Sequence, residues 1–268
     1  MIFFVGPQKA GTSWVDAYLR WHGGVALPED LKETMFFDKF YDNGLPWYVK
    51  FYTNAEPDHT RVEVAPTYFA SAEARQRIKE YAPKSSIVVS VRDPAKRTFS
   101  SYLHEQRYGF IPAHVGFRKA VEEQNLEDAS RYYEHTTAWQ QAFGAERIHF
   151  LHLTSMKDLD DYARQICTIA GIEFKPVPDE LRGRVNEASV PRSYGVASLV
   201  SKLNQLSRKL GLLKFRKWLI GLGLKKLIYS GGGDGPASLS VADREWLMEH
   251  YLGDDWARFQ QEFPHGQS

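Results

Sequence analysis

The sequence predicts an α/β fold: a mainly parallel sheet flanked by helices, with a mainly helical C-terminal part. Three observations carry this. Short apolar runs of strand length alternate with segments of helical period along the first two thirds of the chain. The runs at residues 2–5 and 87–91 are continuously apolar or small, as in strands buried on both faces. Each is followed by a turn and a helical segment, the order that a parallel crossover requires. The chain of 268 residues suits one domain, read as an α/β core over 1–175 and a mainly helical extension over 176–268.

Met1-Ile2-Phe3-Phe4-Val5 forms the first strand, and residues 12–21 form the helix after it. Ile87-Val88-Val89-Ser90-Val91 is a second buried strand. Pro94 then occupies a first helical turn, where its missing N–H costs nothing, and the helix runs to about Arg107. A third strand is expected over 147–153 and a helix over 155–170. Ser230-Gly231-Gly232-Gly233-Asp234-Gly235-Pro236 reads as a loop, and a last helix starts near Ser240 as its N-cap.

Composition narrows the class. The net charge of +1 gives no overall attraction for polyanions, so nucleic acid is not an expected partner and any basic site is local. Cys167 is the only cysteine, so no internal disulfide can form; its apolar surroundings read as core. The opening apolar run is too short for a signal peptide or a membrane span. These features lead to the expectation of a soluble, cytoplasmic, bacterial protein. Between Val196 and Ser230 no acidic residue occurs, while eight lysines and arginines fall among leucines and isoleucines. That stretch is either a solvated helix face or a contact for an acidic polymer or a membrane surface. No histidine or cysteine spacing reads as a metal site.

The most informative segment is Gly6-Pro7-Gln8-Lys9-Ala10-Gly11-Thr12-Ser13, which leaves a strand and opens a helix. Backbone N–H groups and the helix dipole favour an anion at such a junction. Gly11 allows close approach, Thr12 and Ser13 add hydroxyls, and Lys9 adds a charge. The glycine spacing is that of a nucleotide P-loop, G-x-x-x-x-G-K-[ST], which makes the fold P-loop-like. Thr12, however, stands where a triphosphate-binding lysine belongs, and Lys9 lies inside the loop instead. A kinase or NTPase needs that lysine and an acid on Mg²⁺, and neither is evident. The second strand ends in Arg92-Asp93-Pro94, with Ser100 eight residues after Arg92. Ligands of open α/β sheets bind beyond the carboxyl ends of strands, so Arg92 and Ser100 read as a second anion site; the reading to set against it is a structural pairing of Arg92 with Asp93 or with backbone.

With these residues in view, Pro7-Gln8-Lys9-Ala10-Gly11-Thr12-Ser13-Trp14 resembles the 5′-phosphosulfate loop of sulfotransferases that use 3′-phosphoadenosine 5′-phosphosulfate (PAPS). Val89-Ser90-Val91-Arg92-Asp93-Pro94 through Ser100-Ser101-Tyr102 resembles their 3′-phosphate motif. Lys32-Glu33-Thr34-Met35-Phe36-Phe37-Asp38, with Gly44-Leu45-Pro46-Trp47-Tyr48 after it, is similar to a K-E-x-x-F-F-D segment of the heparan-sulfate-type and bacterial branch. Glu63-Val64-Ala65-Pro66-Thr67-Tyr68 is similar to that branch's E-x-[ST]-P-x-Y. Four blocks agree in order and spacing over about the first 110 residues. A looser likeness continues through Arg131-Tyr132, Trp139, Asn186 and Pro191-Arg192-Ser193. Three positions depart from the branch: Met35 stands for a frequent histidine, Val64 for a lysine, and Ala65 for serine or threonine. All three lie near the acceptor side in that family, so a heparan acceptor does not follow.

The resemblance implies roles. PAPS is the donor, 3′-phosphoadenosine 5′-phosphate (PAP) the product, and no metal is needed. Lys9 and the amides of residues 10–13 contact the 5′-phosphosulfate, and Arg92 and Ser100 hold the 3′-phosphate. Trp14 is either a neighbour of the adenosine or core, and Arg192 closes over the nucleotide. Glu33 is the general base; the reading to set against it is a surface carboxylate paired with Lys32. Asp38 either orients the site or starts the turn before Gly44, and His104 is an alternative base or an acceptor contact. Phe36, Tyr68 and Tyr132 wall a sugar or ring site. The acceptor is a carbohydrate or small-molecule hydroxyl or amine. Two other classes compete: a nucleotide kinase with a degenerate loop, and a non-enzymatic protein binding acidic glycans through 196–230.

Overall fold

A computed structural model describes residues 1–53, 55–56, 58–183 and 238–263. Four parallel strands form one sheet: β1 (Ile2–Gly6), β2 (Val62–Val64), β3 (Ser86–Val91) and β4 (Ile148–His152), in the order β2-β1-β3-β4. The helices are α1 (Thr12–His22), α2 (Phe36–Lys39), α3 (Leu45–Val49), α4 (Ala72–Tyr81), α5 (Pro94–Arg107), α6 (Phe117–Gln124), α7 (Tyr132–Phe143), α8 (Leu159–Ala170) and α9 (Asp179–Arg182). After the undescribed stretch come α10 (Val241–Leu247) and α11 (Gly253–Glu262), joined by a π-helical turn at Met248–Leu252. Among the described residues no helix is long and apolar enough to cross a membrane.

The period of two along a strand divides the core. Ile2, Phe4, Val64 and Val88 face α1 and α8, where they pack on Val15, Leu19, Ile166 and the buried Cys167. Phe3, Val5, Ile87 and Val89 face the opposite layer, with Phe37, Tyr48, Ile78, Trp139 and Phe259. Both faces are covered, which explains why the strands read as continuous apolar runs. A third cluster joins α5, α6 and α10 through Tyr102, Phe117, Val121 and Leu247. Asp255, at the start of α11, accepts from the amides of Tyr133 (3.0 Å) and Glu134 (2.9 Å) and so caps α7.

The expected β1, α1, β3, α5 and last helix form within a residue or two of their sequence bounds. The helix expected over 155–170 starts later, at Leu159. Asp158 caps it by accepting from the amides of Asp160 and Asp161, and residues 153–157 are wound into a 3₁₀ turn. Ser240 caps α10 by accepting from the amide of Asp243 at 3.0 Å. β2 was not foreseen, because three residues, though they alternate, are too few to establish a strand period.

The strand order positions the site. From β1 the chain goes first to β2 on one side and then to β3 on the other, so the loops after β1 and β3 flank the crevice where the winding reverses. Gly6 ends β1 at φ 105°, and a Cβ there would lie 2.6 Å from the Pro66 Cα and carbonyl oxygen. Gly6→Ala is therefore expected to cost about 3 kcal/mol or more, read as a fall in Tm of roughly 10 °C by calorimetry.

Candidate active site

The loop between β1 and α1 turns through two left-handed residues, Lys9 (φ 69°) and Gly11 (φ 86°). For a lysine this conformation costs on the order of 1 kcal/mol. It turns the Lys9 carbonyl towards β3, where the Arg92 Nη1 donates to it at 2.6 Å. The first helical amides behind the loop, of Trp14 and Val15, donate to the Gly11 carbonyl. Among the described residues, none of the amides of Gly11, Thr12 and Ser13 donates to another backbone group. They remain as donors at the positive end of α1. Pro7, Ala10 and Thr12 are buried beneath the loop, and Gln8, Lys9 and Ser13 are half-buried at its surface.

Cations converge on this loop. Burial, then the charges of Arg92, Arg107 and Lys32, push Lys9 down to about 8, with Glu105 opposing. The same setting acts on His104, one helix away on α5. Burial and the charges of Lys9, Arg107 and Lys32 push it down to about 3, so it is neutral and a weak proton acceptor at pH 7. Burial together with converging positive charge of this kind favours an anion at the loop. Ser100 is half-buried two turns into α5, one turn before His104.

Glu33 comes to the same place. Lys32 Nζ donates to Glu33 Oε1 at 2.7 Å and to Ser13 Oγ at 3.1 Å. The pairing with Lys32 is thus present, and it lies at the phosphate loop rather than on an open surface. The segment carrying the two residues has no regular structure between Leu31 and Met35, and side chains from three elements hold it. Arg20 of α1 donates to the Leu31 carbonyl at 2.8 Å while paired with Asp16. Thr34 Oγ1 donates to Glu63 of β2. Arg77 of α4 donates to the Phe37 carbonyl at 2.7 Å.

Several expected acceptor contacts lie elsewhere. Phe36, Tyr68 and Tyr132 are fully buried, so none of them walls an open acceptor site. Phe36 stacks on Tyr48 with centroids 4.9 Å apart. The Tyr68 hydroxyl donates to Glu63 at 3.0 Å. The Tyr132 hydroxyl accepts from the Arg92 amide at 3.1 Å and holds the end of β3 from beneath. Trp14 is buried, stacked on Tyr18, and donates its indole N–H to the Leu181 carbonyl at 2.9 Å. Asp38 sits inside α2, not at the turn before Gly44, and burial pushes its carboxyl up, opposed by the nearby Thr67 hydroxyl and the Lys39 charge. Arg192 and the basic stretch 196–230 lie outside the described residues.

Residue-by-residue reading overlooked Lys32, Arg107 and Thr34 as parts of the site. Arg107 follows His104 by three residues on α5, a spacing that shares a helix face and was there to be read. The contact between Thr34 and Glu63 spans 29 residues, and no local pattern announces it.

The site thus places a lysine, an arginine and loop amides at the switch point of a P-loop-like parallel sheet. The sulfotransferase domain model matches residues 1–193, and the chain belongs to that family. Curated relatives include the bifunctional heparan sulfate N-deacetylase/N-sulfotransferase of Drosophila melanogaster, 27% identical over 178 residues, covering 55% of this chain and 17% of that one. The heparan sulfate glucosamine 3-O-sulfotransferase 6 of Mus musculus is 29% identical over 171 residues, covering 60% of this chain and 48% of that one. The chain thus spans less than half the length of either relative. A crystal structure of a sulfotransferase from Alicyclobacillus acidocaldarius shares the fold with a TM-score of 0.60 at 20% identity, covering 80% of this chain and 95% of that one.

Proposed function

We propose that this sulfotransferase takes its sulfuryl group from PAPS and passes it to a hydroxyl or amine of a carbohydrate or small-molecule acceptor. One observation carries the reading: Lys9, Lys32, Arg92 and Arg107 bear on a single loop of free amides, and Glu33 stands beside it. The donor supplies a sulfuryl group activated by a phosphate leaving group. Arg92 and Ser100 fit its 3′-phosphate, since guanidinium and hydroxyl donors suit phosphate oxygens. Lys9 and the amides of residues 10–13 fit the 5′ end, where they meet the charge that grows on the departing phosphate oxygen without reorganising. Glu33 takes the proton as the acceptor oxygen or nitrogen bonds to sulfur and the bond from sulfur to the phosphate oxygen breaks in line. Glu33 suits this better than His104, which burial and its cationic neighbours keep a weak proton acceptor. The two relatives, both named for heparan sulfate, support a carbohydrate acceptor.

Calorimetric titration with PAP, against ADP and ATP and without added metal, tests the donor assignment. Selective PAP binding supports it; preference for ATP, or no binding, overturns it in favour of a kinase or a glycan-binding protein. Lys9 adds a pH signature. Its value near 8 in the free protein must rise when the anion binds. PAP affinity should therefore be flat below about pH 8 and fall above it, by at most about tenfold per pH unit, until the bound-state value is passed. Titrations between about pH 6.5 and 9.5 should show this, with proton uptake on binding near pH 8; Lys9→Ala should abolish the dependence.

A further inference from the structure

Glu63 is a carboxylate with no exposed surface, on the short edge strand β2 in register with Phe3 of β1. Burying an acid is costly unless donors satisfy it. Here three hydroxyls do: Thr34 Oγ1 and the Tyr68 hydroxyl on Oε1, the latter at 3.0 Å, and the Tyr48 hydroxyl on Oε2 at 2.8 Å. Burial still outweighs these donors and pushes Glu63 up to about 7. A core of this kind is more simply built from apolar residues, so the carboxylate calls for another explanation.

The donors themselves supply it. Tyr48 and Tyr68 come from the rigid aromatic core, but Thr34 comes from the irregular segment that follows Glu33. The Thr34 hydroxyl donates to Glu63 and accepts from the Phe36 amide at 3.1 Å. It thereby ties the backbone on both sides of Met35, a left-handed residue at φ 52° where the chain turns into α2. One residue before this anchor is Glu33, and two before it is Lys32, bonded to Ser13 of the loop.

We propose that Glu63, acting through the Thr34 hydroxyl, is a positioning residue that holds the Glu33 carboxylate at the phosphate loop. This rests on Glu33 being the base of the proposed transfer. A sealed carboxylate accepts from several hydroxyls at once and has a fixed place in the sheet, so it transmits the position of β2 to a segment that has no ladder of its own. Misplacing a reacting group by about 1 Å costs on the order of 10²-fold in rate, so the anchor acts on turnover rather than on donor affinity.

The test compares wild type with Thr34→Val, Thr34→Ser and Glu63→Gln in two measurements: calorimetric PAP binding, and release of PAP from PAPS with water as the acceptor, against the rate in buffer. Thr34→Val and Glu63→Gln should keep PAP affinity within about twofold yet slow release by about 10–100-fold. Thr34→Ser, which restores the hydroxyl, should return release to within about threefold of wild type. If Glu63→Gln does not fold, the Val and Ser variants decide, because Val keeps the bulk of threonine without its hydroxyl and Ser keeps the hydroxyl without the methyl. Release at the wild-type rate in Thr34→Val, or equal loss of rate and PAP affinity, overturns the positioning role. Wild type that binds PAP but releases none above the buffer rate has a Glu33 out of reach of a nucleophile. That result also overturns the role, and it leaves the donor site standing. Wild type that fails to bind PAP overturns the sulfotransferase donor reading itself.

Discussion

Glu33→Gln is expected to slow turnover by about 10²–10⁴-fold and to leave PAP affinity within about twofold. The amide matches the carboxylate in shape but cannot take a proton. None of the three tethers of its segment, from Arg20, Thr34 and Arg77, uses the Glu33 side chain, so the geometry should survive the change. Lys32 loses the ion pair but can still donate to the amide oxygen, and it keeps its bond to Ser13. Release of PAP from PAPS and calorimetric PAP binding, measured on the same preparation, separate the two effects. Equal loss of both would assign Glu33 to donor binding and remove it as the base.

The second large effect falls on binding. Arg92→Ala should weaken PAP by about 10–150-fold, the equivalent of the ~1.5–3 kcal/mol that a hydrogen bond to a charged group contributes. The loss has two sources. The guanidinium is a direct candidate for the 3′-phosphate, and it also holds the Lys9 carbonyl at 2.6 Å, so its removal loosens the left-handed turn that shapes the loop. Titration with ADP, which has no 3′-phosphate, separates the contributions. A variant that loses PAP affinity but matches wild type for ADP has lost only the phosphate contact; a parallel loss points to the loop.

How much of this was legible depends on sequence distance. β1, its loop and α1 form one uninterrupted run, and so do β3, Arg92 and α5, so their chemistry is written in spacing alone. The geometry of these two loops could therefore be read directly. β2 could not, because Val62–Val64 gains its strand character from pairing with β1, not from its own pattern. Phe36, Tyr68 and Tyr132 were expected at an open wall for the same reason. Aromatic side chains serve rings and cores equally well, and only the tertiary arrangement decides between them. The loop amides show the opposite case: glycine, hydroxyls and a strand-to-helix junction dictate local geometry strongly enough that no long-range partner is needed.

The irregular segment between Leu31 and Met35 has a consequence for how such an enzyme can diversify. Its placement is owned jointly by α1, β2 and α4, so it is not a module that can be exchanged alone. A graft of residues 31–37 into a related sheet would arrive without Arg20, Glu63 and Arg77 and would lose its pose. Change is cheaper just past the end of α5, beyond Arg107. There Tyr108 leans on His104 with centroids 4.6 Å apart, and Phe110 stands 42% exposed. On the proposed assignment of Glu33, changes at 108–110 leave all three of its tethers untouched.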